Sequence, residues 1–169
     1  MEDFDLVILG GGTGSTIAGW TFAGEGMRVA VVDRRYIGGS CPNVACLPSK
    51  NVIHSAKVAS YFRRSKEFGT THNGFTIDMS GVRERKREMV RGLNDVYLDN
   101  YGKTGAEFIL GTGRFVAQKT VELARVLYHL LTPVPSGINS SPWPHQRDQF
   151  LRRRRSRELK AGVLMLSTE

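Results

Sequence analysis

Apolar positions form two short runs near the start of the chain, and a glycine-rich turn follows the first of them. Residues Asp5–Leu9 are apolar and rich in β-branched side chains until Gly10 stops the run, which predicts a buried strand. Ser15–Gly24 has the spacing of a helix, and Met27–Asp33 is a second apolar run. A strand, a glycine turn, a helix and a strand in this order predict a βαβ unit with parallel strands.

Two further helices are predicted downstream. One runs from about Leu47 to Phe62, with Pro48 in its first turn, where proline is tolerated. The other is a long amphipathic helix with a possible cap at Ser80 and an end near Gly102. In each of the three helices, we expect the apolar positions at helical spacing to lie on the side that faces the core of the protein. These positions are Ile17, Trp20, Thr21, Val52, Ala56, Ala59, Val82, Met89, Leu93, Val96 and Tyr97.

In the last third of the chain, the amino-acid composition changes after a set of predicted short strands. Residues 106–123 are typical of two or three short strands interrupted by Gly111 and Gly113. After Leu123 the sequence holds four of the six prolines and an arginine run, and it shows no period. We therefore expect loop or irregular structure there, with at most a short helix around the arginines. The chain accordingly divides into residues 1–122 and 123–169.

Composition and charge narrow the class of protein. The length of 169 residues suits one globular domain that needs no disulfides to fold. The acidic start and the lack of any apolar run near 18 residues argue against a secretory signal or a membrane span, so we expect a cytoplasmic protein. The net charge is +8, of which +5 lies from Ala124 onward, so the basic character belongs largely to the tail.

The glycine turn has the spacing of a dinucleotide-binding turn. Gly10 allows the tight turn, Gly12 lets a pyrophosphate approach the backbone, and Ser15 is small enough for the third position. The N-terminus of the following helix offers free N–H groups to phosphates. Asp33 ends the second strand, 21 residues after Gly12, where a carboxylate would bind ribose hydroxyls. A simple tight turn with a solvated Asp33 is the alternative, and the pattern does not separate FAD from NAD.

Both cysteines, Cys41 and Cys46, lie in one stretch of six residues. In a regular helix, Cα atoms five residues apart are roughly 8.6 Å apart, whereas a disulfide needs about 4.4–6.8 Å. The segment between them is therefore not fully helical if the two pair, and Pro42 and Asn43 suit such a break. Pro48 places a helix start close to Cys46, and the positive end of that helix dipole stabilises a thiolate.

The two cysteines allow two other interpretations. They could be buried and inert, or they could bind a metal ion. A structural zinc site needs four ligands, and the four histidines of the chain show no ligand spacing to them. We therefore expect a redox-active pair and no metal site.

These motifs together resemble one enzyme family. The segments VILGGGTGS, VAVVDRRYIGGSCPNVACLPSKNVIHSAKVA and GAEFILGTGRFVAQKTVE are similar to the N-terminal FAD-binding region of the class I pyridine nucleotide–disulfide oxidoreductases. Glutathione reductase, dihydrolipoamide dehydrogenase and mercuric reductase belong to this family, and the cysteine segment is most similar to mercuric-reductase-like members. The resemblance covers about residues 4–122. It implies a partial Rossmann-like FAD-binding domain within the α/β class.

The resemblance also implies roles for individual residues. Electrons would pass from NAD(P)H through FAD to Cys46, the thiol beside the flavin, and then to Cys41, the interchange thiol that reacts with a small-molecule substrate, either a disulfide or a metal ion. Lys50 matches the lysine beside the flavin ring. The residues matched to FAD contacts are Gly10, Gly12, Thr13, Gly14, Asp33, Arg34, Gly38, Gly39, Ser40 and Lys50.

Several segments of complete family members have no match in this chain. They include the second nucleotide turn for NAD(P)H, the later flavin contacts, and the domain that forms the homodimer and carries a His–Glu pair. We therefore expect a truncated or frame-shifted product that is inactive alone. The alternatives are a residual FAD-binding or thiol module without catalysis and, less favoured, a nucleic-acid binder that uses Arg152–Arg157, since arginine runs attract phosphates.

Overall fold

The computed structural model describes residues 1–124 and 157–166, and it has the predicted α/β class. The elements in chain order are β1 (Glu2–Leu9), α1 (Thr13–Gly24), β2 (Val29–Asp33), α2 (Ser40–Asn43), α3 (Cys46–Arg63), α4 (Met79–Thr104), β3 (Glu107–Leu110), β4 (Thr112–Ala117), β5 (Thr120–Ala124) and β6 (Arg157–Leu166). A 3₁₀ turn, Ser65–Phe68, lies between α3 and α4. Among the helices described, none is long and apolar enough to cross a membrane.

The strands form one six-stranded sheet in the order β3-β2-β1-β6-β5-β4. β1 pairs in parallel with β2 on one side and with β6 on the other, and β3 extends the parallel part beyond β2. The strands β6, β5 and β4 pair antiparallel. Val7 and Val31 in the central strands are completely buried. Strands covered on both faces have apolar runs rather than alternation, which is why the first two runs could be identified in the sequence.

Two apolar clusters lie on opposite faces of the sheet. The cluster below α1 and α4 consists of Leu6, Ile8, Ala23, Val29, Val31, Ile37, Tyr101 and Ala106. The cluster on the other face consists of Phe4, Val7, Ala30, Val32, Ile109, Val121, Leu123, Leu159 and Ala161. Gly113 of β4 lies so close to β1 that a Cβ there would be 2.7 Å from Leu9 Cδ2. The β4–β5 hairpin therefore curls over the second face of the sheet.

The structure confirms the predicted helices and early strands but corrects one cap. α1 begins at Thr13, earlier than predicted, and α3 extends from Cys46 to Arg63. The predicted cap of α4 at Ser80 is wrong. Asp78 is the N-cap, and its Oδ1 accepts a hydrogen bond of 2.9 Å from the Ser80 N–H. An aspartate in this place satisfies a helix N–H that has no partner inside the helix.

Helical spacing overestimated how much of each helix is buried. The predicted core-facing positions that are in fact exposed are Ile17, Thr21, Val52, Ala56 and Val96. α1 approaches the sheet through small residues instead, since a Cβ on Gly19 would lie 2.6 Å from Val31 Cγ2. α4 buries Val90, Asn94 and Tyr101 rather than Val96. A close approach through glycine leaves larger apolar side chains on the helix flanks, where they stay in contact with solvent.

The tail contains a strand that the sequence analysis did not predict. Residues 157–166 form β6, whose backbone pairs with β1 from Glu2↔Leu159 to Leu9↔Leu166. The prediction of irregular structure is therefore wrong for these ten residues. The apolar run 161–166 is the signal that was missed, because arginines and prolines dominate the sequence before it. Most of the arginine run lies outside the described residues, and the division at residue 122 stays a prediction.

The place of β6 in the core of the sheet can be tested by substitution. Leu159 is completely buried between β1 and β5, so Leu159→Ala should lower the free energy of unfolding by about 2–5 kcal/mol. The matched control is Lys160→Ala on the exposed side of the same strand, which should change it by less than about 0.5 kcal/mol. Urea denaturation measures both. Equal effects of the two substitutions would show that β6 is not part of the core.

Candidate functional site

The glycine turn connects β1 to α1 at the carboxyl ends of the parallel strands. Gly10 has φ of 98°, a conformation that favours glycine, and its N–H donates to the Val32 carbonyl at 2.8 Å. Gly12 is the N-cap of α1. Thr16 closes the turn, since its N–H donates to the Gly12 carbonyl at 2.9 Å and its hydroxyl donates to the Gly11 carbonyl at 3.1 Å. The first N–H groups of α1 are left for an anion.

Gly11 packs directly against the end of β2, a contact that the sequence pattern did not predict. A Cβ on Gly11 would lie 2.9 Å from Asp33 Cβ, whereas a Cβ on Gly14 would meet nothing within 4 Å. The turn thus presses its middle glycine against the end of β2 and exposes Gly14 on the outer side. The signal for Gly11 was present in the sequence as an uninterrupted run of three glycines.

Asp33 is a buried carboxylate that holds three backbone N–H groups. Its Oδ2 accepts from Gly11 at 2.7 Å, and its Oδ1 accepts from Arg35 at 2.6 Å and Tyr36 at 2.9 Å. Only 9% of the residue is exposed. A carboxylate can accept about four hydrogen bonds, so one acceptor position remains on Oδ2. Asp33 therefore fits a ribose hydroxyl, but its first role is to join the glycine turn to the segment after β2.

The cysteine segment begins with two glycines that need positive φ. Gly38 and Gly39 have φ of 75° and 73°, and they lead into the short helix α2. Asn43 fixes this bend, since its Nδ2 donates to the Ile37 carbonyl at 2.8 Å and to the Gly39 carbonyl at 2.7 Å. The sequence predicts that Pro42 and Asn43 break the helix here, but it does not predict these two hydrogen bonds of Asn43. Its position directly after Pro42 was the available signal.

The two cysteines lie on either side of a break between α2 and α3. Cys41 is in α2, Cys46 is the first residue of α3, and Ala45 between them is not helical. The prediction that the segment is not fully helical is confirmed, as is the place of Cys46 at a helix N-terminus. Both are free thiols in the structure; Cys46 is exposed and Cys41 is half-buried. The predicted disulfide therefore stays a prediction for the oxidised protein.

The surroundings of Cys41 act on its thiol in opposite directions. A hydrogen bond with the Cys46 side chain raises the pKa of Cys41, and burial and the charge of Cys46 raise it further. The charge of Lys50 and a hydrogen bond with Thr13 lower that pKa, but the raising effects prevail. Thr13 is the first residue of α1, so the thiol pair lies next to the glycine turn. Lys50 lies on α3, one turn after Cys46.

The predicted site residues thus fall into two groups that meet at Thr13 and Cys41. The group around the glycine turn contains Gly10, Gly12, Thr13, Gly14 and Asp33, and the group around the thiols contains Gly38, Gly39, Ser40, Cys41, Cys46 and Lys50. Arg34 is exposed directly after β2, and within the described part of the chain no hydrogen bond or ion pair connects its side chain to either group. The described residues also contain no cluster of three or more side chains suited to a metal ion.

Tyr97 is a further residue of the site, and the sequence analysis placed it only on an apolar helix face. A Cβ on Gly38 would lie 2.7 Å from Tyr97 Cε1, so the ring packs directly on the glycine bend. Burial raises the pKa of Tyr97, and the nearby charge of Cys41 raises it further. Trp20 supports the ring from α1, with the ring centroids 5.3 Å apart. α4 thereby brings an aromatic hydroxyl close to the half-buried thiol.

Comparisons with known proteins identify the family of this chain. A sequence model of the pyridine nucleotide-disulphide oxidoreductase family matches residues 4–132. The chain is 38% identical over 94 residues to the dihydrolipoyl dehydrogenase of Chlamydia muridarum, covering 56% of this chain and 20% of that protein. It is 36% identical over 121 residues to the dihydrolipoyl dehydrogenase of Bacillus subtilis, covering 67% and 25% of the two chains. The glutathione reductase of Yarrowia lipolytica is 28% identical over 127 residues, covering 73% and 27%.

A solved structure has the same fold. The Cu(II) complex of the HOCl-induced flavoprotein disulfide reductase RclA from Escherichia coli matches with a TM-score of 0.68 and 20% identity. The match covers 99% of this chain and 29% of that one. The glycine turn and the close pair of cysteines both lie within residues 4–132, the part of the chain that the family model matches. The chain belongs to the pyridine nucleotide-disulphide oxidoreductase family, and it spans about a fifth to a quarter of the length of the relatives it matches.

The opposing effects on Cys41 can be separated by substitution. Cys46→Ala removes the hydrogen bond that raises the pKa of Cys41, so the pKa should fall; Lys50→Gln removes a charge that lowers it, so the pKa should rise. Because the thiolate is the nucleophile, the rate of alkylation of Cys41 by iodoacetamide against pH reports each shift. Peptide mass spectrometry distinguishes Cys41 from Cys46. Shifts in the same direction would contradict the described surroundings of Cys41.

Proposed function

We propose that this chain is the thiol-bearing part of a flavin-dependent disulfide oxidoreductase in which electrons reach Cys41 and Cys46 from NAD(P)H through FAD. The observation that carries the proposal is that the Cys41 thiol lies within hydrogen-bonding reach of both Cys46 and Thr13, the first residue of α1 directly after the nucleotide turn. A thiol pair elsewhere on the surface could exchange disulfides, but only a pair beside this turn could also meet a bound dinucleotide.

The residues present fit FAD. The N–H groups at the start of α1 and the open space beside Gly14 suit a pyrophosphate, and Asp33 retains one acceptor position for a ribose hydroxyl. Lys50 would place a positive charge near the thiols and an anionic flavin. The full set that we propose as FAD contacts is Gly10, Gly12, Thr13, Gly14, Asp33, Arg34, Gly39, Ser40 and Lys50. FAD, when bound, supplies the two electrons that return the disulfide to the dithiol.

The chain's own residues account for the exchange with substrate. The Cys41 thiolate attacks one sulfur of a substrate disulfide, a mixed disulfide forms, and the first product leaves as a thiolate that takes up a proton. The Cys46 thiolate then attacks the Cys41 sulfur, which releases the second product thiol and forms the Cys41–Cys46 disulfide. Cys46 can reach Cys41 because the helix breaks between them. Lys50 favours the thiolate form of Cys41 that begins the exchange.

We expect the surface beside Cys46 to contact the substrate. An open groove of about 520 Å³ is lined by Asn43, Val44, Pro48, Ser49, Val52, Ile53 and Lys86. Val44 and Ile53 are 57% and 63% exposed, so an apolar arm of a small disulfide such as lipoamide would find contacts there. The sequence of the cysteine segment, which is similar to that of mercuric-reductase-like proteins, supports Hg²⁺ as a second substrate, because thiolates bind soft metal ions.

We further propose that the isolated chain does not oxidise NADPH. β1–α1 is the one strand–glycine turn–helix unit in residues 1–124 and 157–166. A second nucleotide turn and the acid–base pair of the complete enzymes would come from segments outside this sequence or from a partner subunit, as in the homodimers of the family. A thiol module that binds FAD without turnover is the second candidate function, and the exposure of Cys46 favours it for the chain alone.

The first test is formation of the disulfide. Air oxidation should take two electrons and two protons from Cys41 and Cys46 and lower the free thiol count from two to zero, since the two thiols lie within hydrogen-bonding reach of each other. Dithiothreitol should restore both thiols. Thiol titration under native conditions measures each state, and Cys46→Ala is the control that should keep one free thiol. Two free thiols after mild oxidation of the folded protein would contradict the proposal.

The second test asks whether the oxidised pair accepts electrons from flavin. Chemically reduced FAD, added without oxygen, should restore two thiols, and NADPH in its place should restore none. Gly12→Val should slow the reaction with FAD by blocking the turn, because Gly12 is buried there. Gly24→Val, at the exposed end of α1 where a Cβ would meet nothing within 4 Å, is the matched control. Turnover that needs only NADPH and disappears in Cys46→Ser would overturn the view that the chain is incomplete.

A further inference from the structure

A second cavity lies at the opposite end of α3 from the thiols. It has a volume of about 280 Å³ and is lined by Arg63, Arg64, Ser65, Lys66, Glu67, Thr71 and His72. α3 has 18 residues from Cys46 to Arg63, so about 25 Å separates its two ends. The cavity is therefore independent of the proposed thiol chemistry.

The helix end beside this cavity does not repel an anion as a bare helix C-terminus would. The Arg64 N–H donates to the carbonyls of Ser60 and Tyr61 at 3.2 Å each. His72 Nδ1 accepts from the Gly74 N–H at 3.0 Å, so Nε2 carries the proton and donates to the Phe62 carbonyl at 2.7 Å. These bonds occupy the carbonyls of Ser60, Tyr61 and Phe62 in the last turn of the helix, which carry part of its negative partial charge.

The charges in the cavity are unbalanced. Three cationic side chains face one carboxylate, and only Arg64 pairs with it, at 3.5 Å from Glu67. Arg63 and Lys66 have no ion pair or side-chain hydrogen bond within the described part of the chain. Favourable interaction with the helix dipole explains one cation in the last turn, but it does not explain three cations around one cavity. The lining thus keeps a net charge of +2.

We propose that this cavity binds a phosphate dianion, either free or as the monoester of a small molecule. Guanidinium groups bind phosphate oxygens through paired N–H donors, and Arg63 and Arg64 would provide them. Ser65 and Thr71 add hydroxyl groups to the same lining. A volume of about 280 Å³ is at the lower end of the range for small-molecule sites, which suits a phosphate group with a short substituent and not a whole nucleotide.

The test is a titration of the full chain followed by amide chemical shifts in ¹⁵N NMR spectra, at fixed ionic strength. Inorganic phosphate and glycerol 3-phosphate are the two probes, and tighter binding of the ester would identify a phosphorylated metabolite as the ligand class. Residues 63–74 should show saturable shifts with one common dissociation constant, distinct from that of any shifts at the glycine turn. Shifts spread over all basic surfaces, without saturation, would show non-specific attraction and overturn the proposal.

Two substitutions that change the charge of the cavity in opposite directions make the test more specific. Glu67→Gln removes the single carboxylate and should tighten binding of the phosphate dianion by about tenfold, the effect of a unit charge roughly 6 Å from a double charge in a water-like dielectric. Lys66→Gln should weaken it by about the same factor. The matched control is Arg83→Gln, an exposed arginine on α4 outside the cavity, which should leave it unchanged. Equal changes in Lys66→Gln and Arg83→Gln, or no gain in Glu67→Gln, would refute the site.

Discussion

The carboxylate of Asp33 is the contact on which the arrangement of the site depends. Its two oxygens accept three backbone N–H groups, from Gly11 on one side and from Arg35 and Tyr36 on the other. Hydrogen bonds to a charged group contribute about 1.5–3 kcal/mol each, and burial keeps water from competing for this carboxylate. The glycine turn and the segment leading to the cysteines are therefore fixed to the same side chain. Asp33 therefore links the turn that ends at Thr13 to the segment that leads to Cys41.

The break between α2 and α3 gives the thiols their chemistry. A continuous helix would hold Cys41 and Cys46 too far apart to react, whereas the bend at Gly38 and Gly39, fixed by Asn43, brings them into contact. The contact has a consequence for Cys41. The hydrogen bond with Cys46, burial and the charge of Cys46 together favour the protonated form of Cys41 more than Lys50 and Thr13 favour the thiolate. Any change near the pair that withdraws Cys46 would therefore make Cys41 a stronger nucleophile at neutral pH.

Much of the site could be predicted from the sequence because its signals are local. The glycine turn, Asp33 and the cysteine segment are short motifs in which residue type and spacing fix the backbone. Tyr97 and Gly11 could not be assigned in the same way, since their roles come from contacts with residues distant in the chain, Gly38 and Asp33. The prediction of which side of each helix is buried was partly wrong for the same reason. Whether Ile17 or Gly19 faces the sheet depends on how closely α1 approaches Val31, and spacing alone does not state that distance.

β6 shows that the most distant part of the chain supports the site. Its backbone pairs with β1 along nearly the whole strand, up to Leu9, the residue before the glycine turn. A turn that must hold its N–H groups toward a ligand needs a rigid strand before it, and β1 is rigid because parallel neighbours flank it on both sides. Residues 157–166 follow a sequence rich in proline and arginine, yet their strand occupies the centre of the sheet. The position of the nucleotide turn therefore depends on a long-range pairing that no local motif indicates.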